Sequence, residues 1–480
     1  MAPWLAPHAR DVAVAVVFAV SYFVFAAGRL PGTQIRRSAM AVIGAAMIFL
    51  LGALPARAAI AAVDFPTLVL LFAMMIIAAA LHRAGFFDWI VAVIVARVKP
   101  GQLLPAVIFT AGILSAFLVN DVVCLVLAPL VLQIAKAMRR DPVAYLLALA
   151  TASNIGGLAT ITGNPQDMLI ASVSGIGYRA YLFHLAPVAI AGLFLDWAFI
   201  QWLERPMGLA PEPASAGGAG VSRAAGEMAG TGRSAPVPAS AISAAASGAA
   251  LGRDAGRVAP APAAQPHAAP PENPFPALAP DDQITRRLPR QFDRGMLPAL
   301  VIVALELAGF LLGIPPAVAA ISGAALLLIS RRHDAGELYR QVDWSLLLLF
   351  IGLFLIIAGA EQAHLLGWLA GWAESPLLRH AALFTGFVAL LSNLVSNVPA
   401  VMLLRAPVAH VLHSNRDWLL LAAASTLGGN LTITGSIANF IVVEGARPAA
   451  NIGFWRYLRV GAPIAIATLV LAVILLHFGL

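Results

Sequence analysis

The sequence predicts an all-α polytopic membrane protein with about 10 to 11 membrane spans, built as an inverted repeat. Hydrophobic residues make up 60% of the chain and charged residues 11%, and the mean hydropathy is +0.87, far outside the range of soluble domains. Apolar windows long enough to cross a bilayer as helices recur along the chain. Two polar, glycine-rich segments, residues 152–167 and 424–439, nearly repeat each other inside this apolar sequence. A duplicated interruption of this kind is typical of inverted-repeat membrane proteins.

The positive charge of the chain does not indicate a nucleic-acid surface. The formal net charge is +7, but the arginines are dispersed among short loops and do not line one face. Cys124 is the single cysteine, which excludes an intrachain disulfide and a thiolate metal cluster. We therefore expect the lipid bilayer as a partner, no nucleic acid and no cofactor.

The first 64 residues are expected to form scaffold helices. The apolar run Val12–Ala27 is followed by three arginines between residues 29 and 37, so it is retained as a helix whose N-terminus lies outside. A second helix is expected at about 38–54, crossing outward.

The first repeat contains a hairpin. The stretch at about 102–137 has Asn120 and Asp121 at its middle and basic residues near both ends, and basic residues accumulate in cytoplasmic loops. Both ends are therefore cytoplasmic, which predicts a re-entrant hairpin instead of a span. The first repeat, residues 65–204, then comprises a helix at about 65–82, this hairpin, a broken helix at about 143–173 and a returning helix at about 180–203.

Residues 205–295 interrupt the apolar pattern. They are rich in Pro, Ala, Gly and Ser, a composition that cannot bury enough apolar surface to fold, so they are predicted to be a disordered cytoplasmic linker. Scaffold helices are expected within residues 296–341. The second repeat, residues 342–480, runs in the opposite sense, with a helix at about 342–360, a hairpin at about 380–411, a broken helix at about 417–441 and a last helix that starts in the cytoplasm near Arg456 and Arg459.

The two interruptions predict a binding site. Non-helical backbone at membrane depth is tolerated only where it is buried in protein or lines a wet cavity, and broken helices aim their free ends at ions and substrates. The alternative is that Ser, Thr and Gly only pack helices closely. The predicted substrate- and ion-binding residues, which also include any transient Na⁺ ligands, are Asn120, Asp121, Ser153, Asn154, Thr160, Thr162, Gly163, Asn164, Ser396, Asn397, Ser425, Thr426, Asn430, Thr432, Thr434 and Ser436.

Five charged positions need separate interpretation. Asp121 is the favoured coupling-ion residue because a carboxylate inside the membrane is costly; the alternative is an acid that caps the hairpin turn. Glu306 lies outside both repeats and is expected to be a scaffold residue. Asp64 and Asp343 lie at helix starts, where an acid stabilises the helix dipole. Arg405 is interpreted as snorkelling to the outer interface.

At these motifs the chain resembles the ion-transporter superfamily, specifically the citrate-transporter-like group with its ArsB/NhaD-type permeases and sodium-coupled dicarboxylate carriers. The resemblance implies an elevator-type carrier, usually a homodimer, in which hairpin tips and broken helices hold substrate and coupling ion. The matching residues are Val119-Asn120-Asp121, Ala128-Pro129, Ser153-Asn154, Gly163-Asn164-Pro165, Ser396-Asn397-Val398-Pro399, and Gly429-Asn430-Leu431-Thr432 through to Asn439.

The chain also departs from that group. Dicarboxylate carriers have Ser-Asn-Thr at each hairpin turn, whereas the turns here are Val119-Asn120-Asp121 and Ser396-Asn397-Val398, which weakens a two-sodium dicarboxylate mechanism. Asp167 stands where an asparagine is common and adds a protonatable group near the site.

These observations predict a secondary active transporter of an anion or small oxyacid in a bacterial inner membrane, driven by a proton or sodium gradient. The alternative is a sodium-proton antiporter on the same fold. An enzyme is not expected, because the sequence has no His-Glu-x-x-His zinc pair, no Gly-x-Ser-x-Gly elbow and no phosphate loop.

Overall fold

The residues that the structure describes form nineteen α-helices and no strand. Arg29 and Arg36 form an isolated antiparallel β-bridge. The predicted all-α class is confirmed. Five helices are long and apolar enough to cross a membrane, and six more apolar helices have 10 to 17 residues. The computed structural model describes residues 7–204, 294–330, 334–367, 380–409, 414–447 and 450–478. The predicted linker, apart from its last two residues, lies outside them.

The first half of the chain contains ten helices. The second helix ends earlier than residue 54 because Gly52 adopts a left-handed φ of 63°. The helices are α1 (Pro7–Ala27), α2 (Arg37–Leu50), α3 (Ala56–Ala62), α4 (Phe65–Arg83), α5 (Phe86–Arg97), α6 (Leu103–Phe117), α7 (Asn120–Ala137), α8 (Pro142–Gly157), α9 (Pro165–Ser174) and α10 (Tyr178–Leu203).

The second half contributes nine described helices. They are α11 (Leu297–Leu311), α12 (Pro316–Ile329), α13 (Ala335–Arg340), α14 (Trp344–Gln362), α15 (Ala381–Val395), α16 (Asn397–Pro407), α17 (Asn415–Gly428), α18 (Ile437–Ala446) and α19 (Phe454–His477). As expected for acids at helix starts, Asp64 accepts a hydrogen bond from the Thr67 amide at 2.9 Å, and Asp343 accepts one from the Leu346 amide at 3.0 Å.

The helices of the two halves pack on one another reciprocally. The first hairpin arm packs on the first part of its broken helix in both halves, α6 on α8 and α15 on α17. The second hairpin arm packs on its own half and also on the other half, so that α7 packs on α18 and α16 on α9. Contacts in which each half offers the other the same surface indicate an approximate two-fold relation.

The helices that precede each predicted repeat pack on the other half as well. Helix α2 packs on α14, and α12 packs on α4, so these contacts are exchanged in the same reciprocal way. Both α2 and α12 have 14 residues. The packing agrees with scaffold helices at both positions, and the interpretation that Glu306 in α11 lies outside both repeats stays a prediction.

Polar contacts join helix ends that the charge pattern assigns to the cytoplasmic side. Arg456, at the start of α19, lies 2.7 Å from Glu204 at the end of α10 and 3.4 Å from Asp141 at the start of α8. Arg83, at the end of α4, pairs with Glu337 in α13. All four helix ends and α13 are predicted to lie on that side.

Two further contacts join ends assigned to the opposite side. Arg416 at the start of α17 lies 2.8 Å from the Nδ1 atom of His477 at the end of α19. Ser172 near the end of α9 donates a hydrogen bond of 2.9 Å to Asp64 at the start of α4. These contacts agree with the predicted arrangement of helix ends, while the identity of the cytoplasmic side stays a prediction.

Candidate functional site

The first broken helix is interrupted between α8 and α9. Gly156 and Gly157 end α8, and Pro165 starts α9 at the first helical position, where its missing amide hydrogen costs nothing. Asn164, which precedes the proline, is extended with φ −138° and ψ 147°, as a residue before proline prefers. The two glycines and the Asn-Pro pair therefore place the break in the helix at residues 158–164.

Close backbone contacts hold this break against the first hairpin. A Cβ atom on Gly156 would collide with the backbone of Gly112 in α6, and one on Gly163 would collide with the Gly157 carbonyl. The amide of Asn120, at the hairpin tip, donates to the Gly163 carbonyl at 2.9 Å. Hairpin tip and break thus form one unit.

Asn154 is the centre of the polar site. Its Nδ2 atom donates to the Oδ1 atoms of Asn430 at 2.8 Å and Asn439 at 3.0 Å, and its Oδ1 atom accepts from Nδ2 of Asn120 at 2.9 Å and Oγ of Ser436 at 3.0 Å. An amide side chain offers two donors and two acceptor sites, so all are used. One residue therefore joins the first hairpin, the first broken helix and the second broken helix.

The same contact recurs with the halves exchanged. Thr426 aligns with Asn154, and Asp167 aligns with Asn439. Thr426 donates to the Asp167 carboxylate at 3.4 and 3.5 Å and accepts from Nε2 of Gln166 at 2.9 Å. Asp167 is fully buried and also accepts a hydrogen bond of 2.7 Å from Asn164. Asn439 and Gln166 were not among the predicted site residues; the ungapped alignment of the two motifs would have indicated Asn439.

The second hairpin tip holds the second break. Ser396 turns the chain with a φ of 78°, which is rare for a residue other than glycine. The side-chain amide of Asn397 faces two carbonyl oxygens, at 2.7 Å from Gly435 and 3.2 Å from Ser425, and lies 2.7 Å from the Ser392 hydroxyl. Carbonyls only accept hydrogen bonds, so the Asn397 nitrogen donates to both. Gly435 aligns with Gly163, so both hairpin tips bind the equivalent carbonyl.

Several predicted ligands are hydrogen-bonded within their own helix or break, or to the hairpin arm beside it. The hydroxyl of Ser153 donates to the Ala150 carbonyl at 2.9 Å, and that of Ser425 to the Ala422 carbonyl at 3.1 Å. Thr160 bonds to the Ala116 carbonyl. The Thr160 and Thr162 hydroxyls lie 3.1 Å apart, and those of Thr432 and Thr434 lie 3.3 Å apart. The structure therefore brings Asn120, Asn154, Asn430 and Ser436 into one cluster and leaves these hydroxyls at its edges.

Unpartnered acceptors lie in this site. The Oδ1 atoms of Asn120 and Asn164 are buried and accept no hydrogen bond. Asp121 is half-buried in the first turn of α7. The carboxylate of Asp343 lies close enough to repel it electrostatically. Every side chain in the hydrogen-bonded network is Asn, Asp, Gln, Ser or Thr. Among the residues that the structure describes, the site is rich in acceptors and contains no basic side chain.

Arg405 pairs with an acid at the end of α14. Its guanidinium lies 3.9 Å from the carboxylate of Glu361 and 5.9 Å from the ring centre of Phe354. This end of α14 is predicted to lie on the outer side, so the ion pair agrees with the predicted position of Arg405, and the snorkelling interpretation stays a prediction. Glu306 is buried, its Oε1 atom has no hydrogen-bond partner, and its charge acts on Tyr178.

Fold and site together define a polytopic membrane transporter. The family model named citrate transporter, CitMHS, matches residues 20–428. The chain belongs to this family. It is a permease for an anion or small solute and not an enzyme.

Relatives agree over nearly the whole length. The silicon efflux transporter LSI3 of Oryza sativa subsp. japonica is 33% identical over 477 residues, covering 96% of each chain. The putative transporter arsB of Dictyostelium discoideum is 24% identical, covering 95% of this chain and 91% of that protein. The fold is similar to that of MtrF from Neisseria gonorrhoeae, described as one of a class of antimetabolite efflux pumps, with a TM-score of 0.53, 11% identity and coverage of 98% and 95%.

Proposed function

We propose that this protein is a secondary active transporter that moves a small, hydroxyl-bearing oxyacid in exchange for protons. One observation carries the proposal: within the described parts of the chain, the polar site presents buried acceptors without partners and no basic side chain. An unpaired buried polar atom costs about 1–3 kcal/mol, so a ligand that donates hydrogen bonds gains by pairing with it.

The acceptors favour one class of substrate. A multiply charged anion such as citrate needs donors or cations, whereas the Oδ1 atoms of Asn120 and Asn164 only accept hydrogen bonds. A neutral oxyacid with several hydroxyl groups, such as silicic or arsenous acid, is the complementary ligand. The names of LSI3 and arsB support this class, because they describe silicon efflux and an arsB-type transporter.

Asp121 is proposed as the residue that couples transport to protons. It follows Asn120 directly, and the Asn120 side chain bonds to the central Asn154. The charge of Asp343, at the start of the scaffold helix α14, acts on Asp121. Protonation of Asp121 removes the repulsion between two like charges, so it favours one position of the hairpin tip relative to α14. Binding of a proton is thereby linked to movement.

The helix contacts are the basis on which we assign the fixed and the moving helices. The pairs α2–α14 and α12–α4 are proposed as the scaffold, and the hairpins with the broken helices as the moving unit of an elevator. The proposal also includes repeats at 65–204 and 342–480, an N-terminus outside the cell, a cytoplasmic linker and a homodimer. Native mass measurement in lipid nanodiscs tests the dimer.

Proteoliposomes with the full chain test the transport proposal. Silicic acid, arsenite, citrate, succinate, sulfate and Na⁺ are offered under an imposed pH or sodium gradient, with a pH-sensitive dye inside. We expect oxyacid flux driven by the pH gradient. Citrate flux without oxyacid flux would contradict the substrate class, and proton-driven Na⁺ flux alone would establish the antiporter alternative.

Asp121→Asn tests the coupling residue, with Asp11→Asn in α1 as the control. We expect Asp121→Asn to lower gradient-driven oxyacid flux at least about 10-fold, equivalent to about 1.4 kcal/mol, at unchanged thermal stability. Asp11→Asn should behave like the unchanged protein. Gradient-driven flux in Asp121→Asn equal to that of the unchanged protein would contradict the assignment of Asp121 as the coupling residue.

A further inference from the structure

A second acid lies buried behind the first broken helix. Asp196, in the middle of α10, has no exposed surface, and neither of its carboxylate oxygens accepts a hydrogen bond. Helix α10 packs on α8 and α19, so Asp196 lies inside the bundle and away from lipid. Buried polar groups are nearly always hydrogen-bonded, and this exception requires an explanation.

Two hydroxyls lie near Asp196. The Thr151 hydroxyl in α8 lies within reach of the carboxylate, but its well-formed hydrogen bond goes to the Leu147 carbonyl at 2.9 Å. The Tyr457 hydroxyl in α19 is fully buried, has no hydrogen-bond partner, and lies close enough to Asp196 for the two groups to interact electrostatically. Among the described residues, no basic side chain acts on Asp196. A buried acid and a buried, unpartnered phenol thus lie near one another.

A proton explains this arrangement better than a sodium ion. An ionised carboxylate without hydrogen bonds costs far more in an apolar interior than a neutral carboxylic acid. Sodium requires several oxygen ligands, and transporters obtain them from carbonyls freed at helix breaks. Around Asp196 both α8 and α10 are continuous helices, whose carbonyls already accept helical hydrogen bonds.

The acid is connected to the central site. The backbone carbonyl of Thr151 accepts a hydrogen bond of 3.1 Å from Nδ2 of Asn430, and Asn430 in turn accepts one from Asn154. A change in the position of Thr151 is therefore transmitted through Asn430 to Asn154, which joins the two halves. The sequence does not single out Asp196, because it is one acid in a long apolar helix outside the duplicated motif.

We propose that Asp196 is a second proton-binding site of the transport cycle. It carries one proton as a neutral carboxylic acid in the state seen here. When it releases that proton to water as the bundle opens, the carboxylate accepts hydrogen bonds from Thr151, which leaves the Leu147 carbonyl, and from Tyr457. The role in the cycle rests on the proposed proton coupling; the bound proton itself does not.

Infrared spectroscopy of the purified full chain tests the bound proton without any substrate. We expect one component of the carbonyl-stretch band of buried, protonated carboxylic acids to be lost in Asp196→Asn and kept in Asp11→Asn and Asp121→Asn, while the contributions of other buried acids, such as Glu306, remain in all three variants. Tyr457→Phe, which removes only a hydroxyl, should shift that band and provides the test if Asp196→Asn does not fold. Spectra of Asp196→Asn and Tyr457→Phe identical to the unchanged protein at every pH would overturn the proposal.

Proton and oxyacid fluxes in proteoliposomes test the role in transport. Asp196→Asn should lower the number of protons moved per oxyacid by one, whereas Tyr457→Phe should slow flux without changing that ratio. An unchanged ratio in Asp196→Asn, together with a lost infrared band, would make Asp196 a structural acid and refute the coupling role. Absence of proton movement in the unchanged protein would instead refute the proposed function and the cycle role together, while the infrared result still decides the bound proton.

Discussion

The two breaks have nearly the same sequence but differ in exposure. Residues 158–164 of the first break are all buried. In the second break Thr434 is exposed, and residues 431–433 are partly exposed. The equivalent threonines, Thr162 and Thr434, therefore lie in different surroundings despite identical local chemistry.

The difference comes from the helix that follows each break. Tyr178, at the start of α10, has 5% of its surface exposed, and its ring lies 4.8 Å from that of Phe310 in α11. Its equivalent at the start of α19, Phe454, is 45% exposed. The scaffold helix α11 covers the first break. In the described structure, α1, which precedes the first half as α11 precedes the second, does not cover the second break in the same way.

A duplicated sequence in two different states is what alternating access requires. If one half is closed while the other is open, the exchange of these two arrangements moves the site from one side to the other. The open break is followed by α19, which starts beside Arg456 on the predicted cytoplasmic side. Under the proposed transport mechanism and the predicted topology, this structure is the inward-open member of the pair.

The largest expected difference between the halves lies at Asn154 and Thr426. Asn154→Ala removes all of the hydrogen bonds that Asn154 makes and leaves polar partners in both halves buried and unpaired, which should cost about 3–5 kcal/mol. Thr426→Ala leaves only Asp167 and Gln166 affected and should cost about 1–2 kcal/mol. Thermal unfolding of the purified variants measures both. Equal losses would show that the central amide does not join the halves as described.

The sequence predicts the breaks and hairpins well because their chemistry is local. The pairs Gly156-Gly157 and Asn164-Pro165 stop and start helices whatever surrounds them. Asn120 is indicated in the same way, as a polar residue at the centre of an apolar stretch with basic ends.

The contacts between halves could not be predicted, because they depend on the two-fold packing. Nothing in the sequence around Asn154 distinguishes it from Ser153, yet Asn154 bonds to both halves, whereas Ser153 bonds only to its own helix and to Cys124 in the neighbouring hairpin arm. The pairing of Arg405 with Glu361 and the burial of Asp196 likewise follow from the approach of helices distant in sequence. The unequal exposure of the breaks is a property of the conformation, which the duplicated sequence leaves open.

A smaller difference is expected at the glycines where α8 and α17 meet the hairpins. A Cβ atom on Gly156 would collide with the backbone of Gly112, whereas one on Gly428 would meet Ala389 at 2.8 Å. Since the helices already accommodate an alanine in the second half, Gly156→Ala should cost about 3 kcal/mol and Gly428→Ala about 1 kcal/mol. Melting temperatures of the two variants compare them directly. A greater loss in Gly428→Ala would mean that the first hairpin is not the more tightly packed one.

The smallest effect on stability, and the sharpest test of the open and closed breaks, is expected for cysteines at the equivalent threonines. Cys124 is fully buried, so a membrane-impermeant maleimide should leave the unchanged protein unlabelled. Thr434→Cys should be labelled readily, and Thr162→Cys should be protected, because their side chains are exposed and buried respectively. Labelling from the two sides of oriented vesicles then assigns the open break to a compartment. Labelling of Thr434→Cys only from the side opposite the cytoplasm would reverse the topology, and equal labelling of both cysteines would remove the asymmetry on which the inward-open assignment rests.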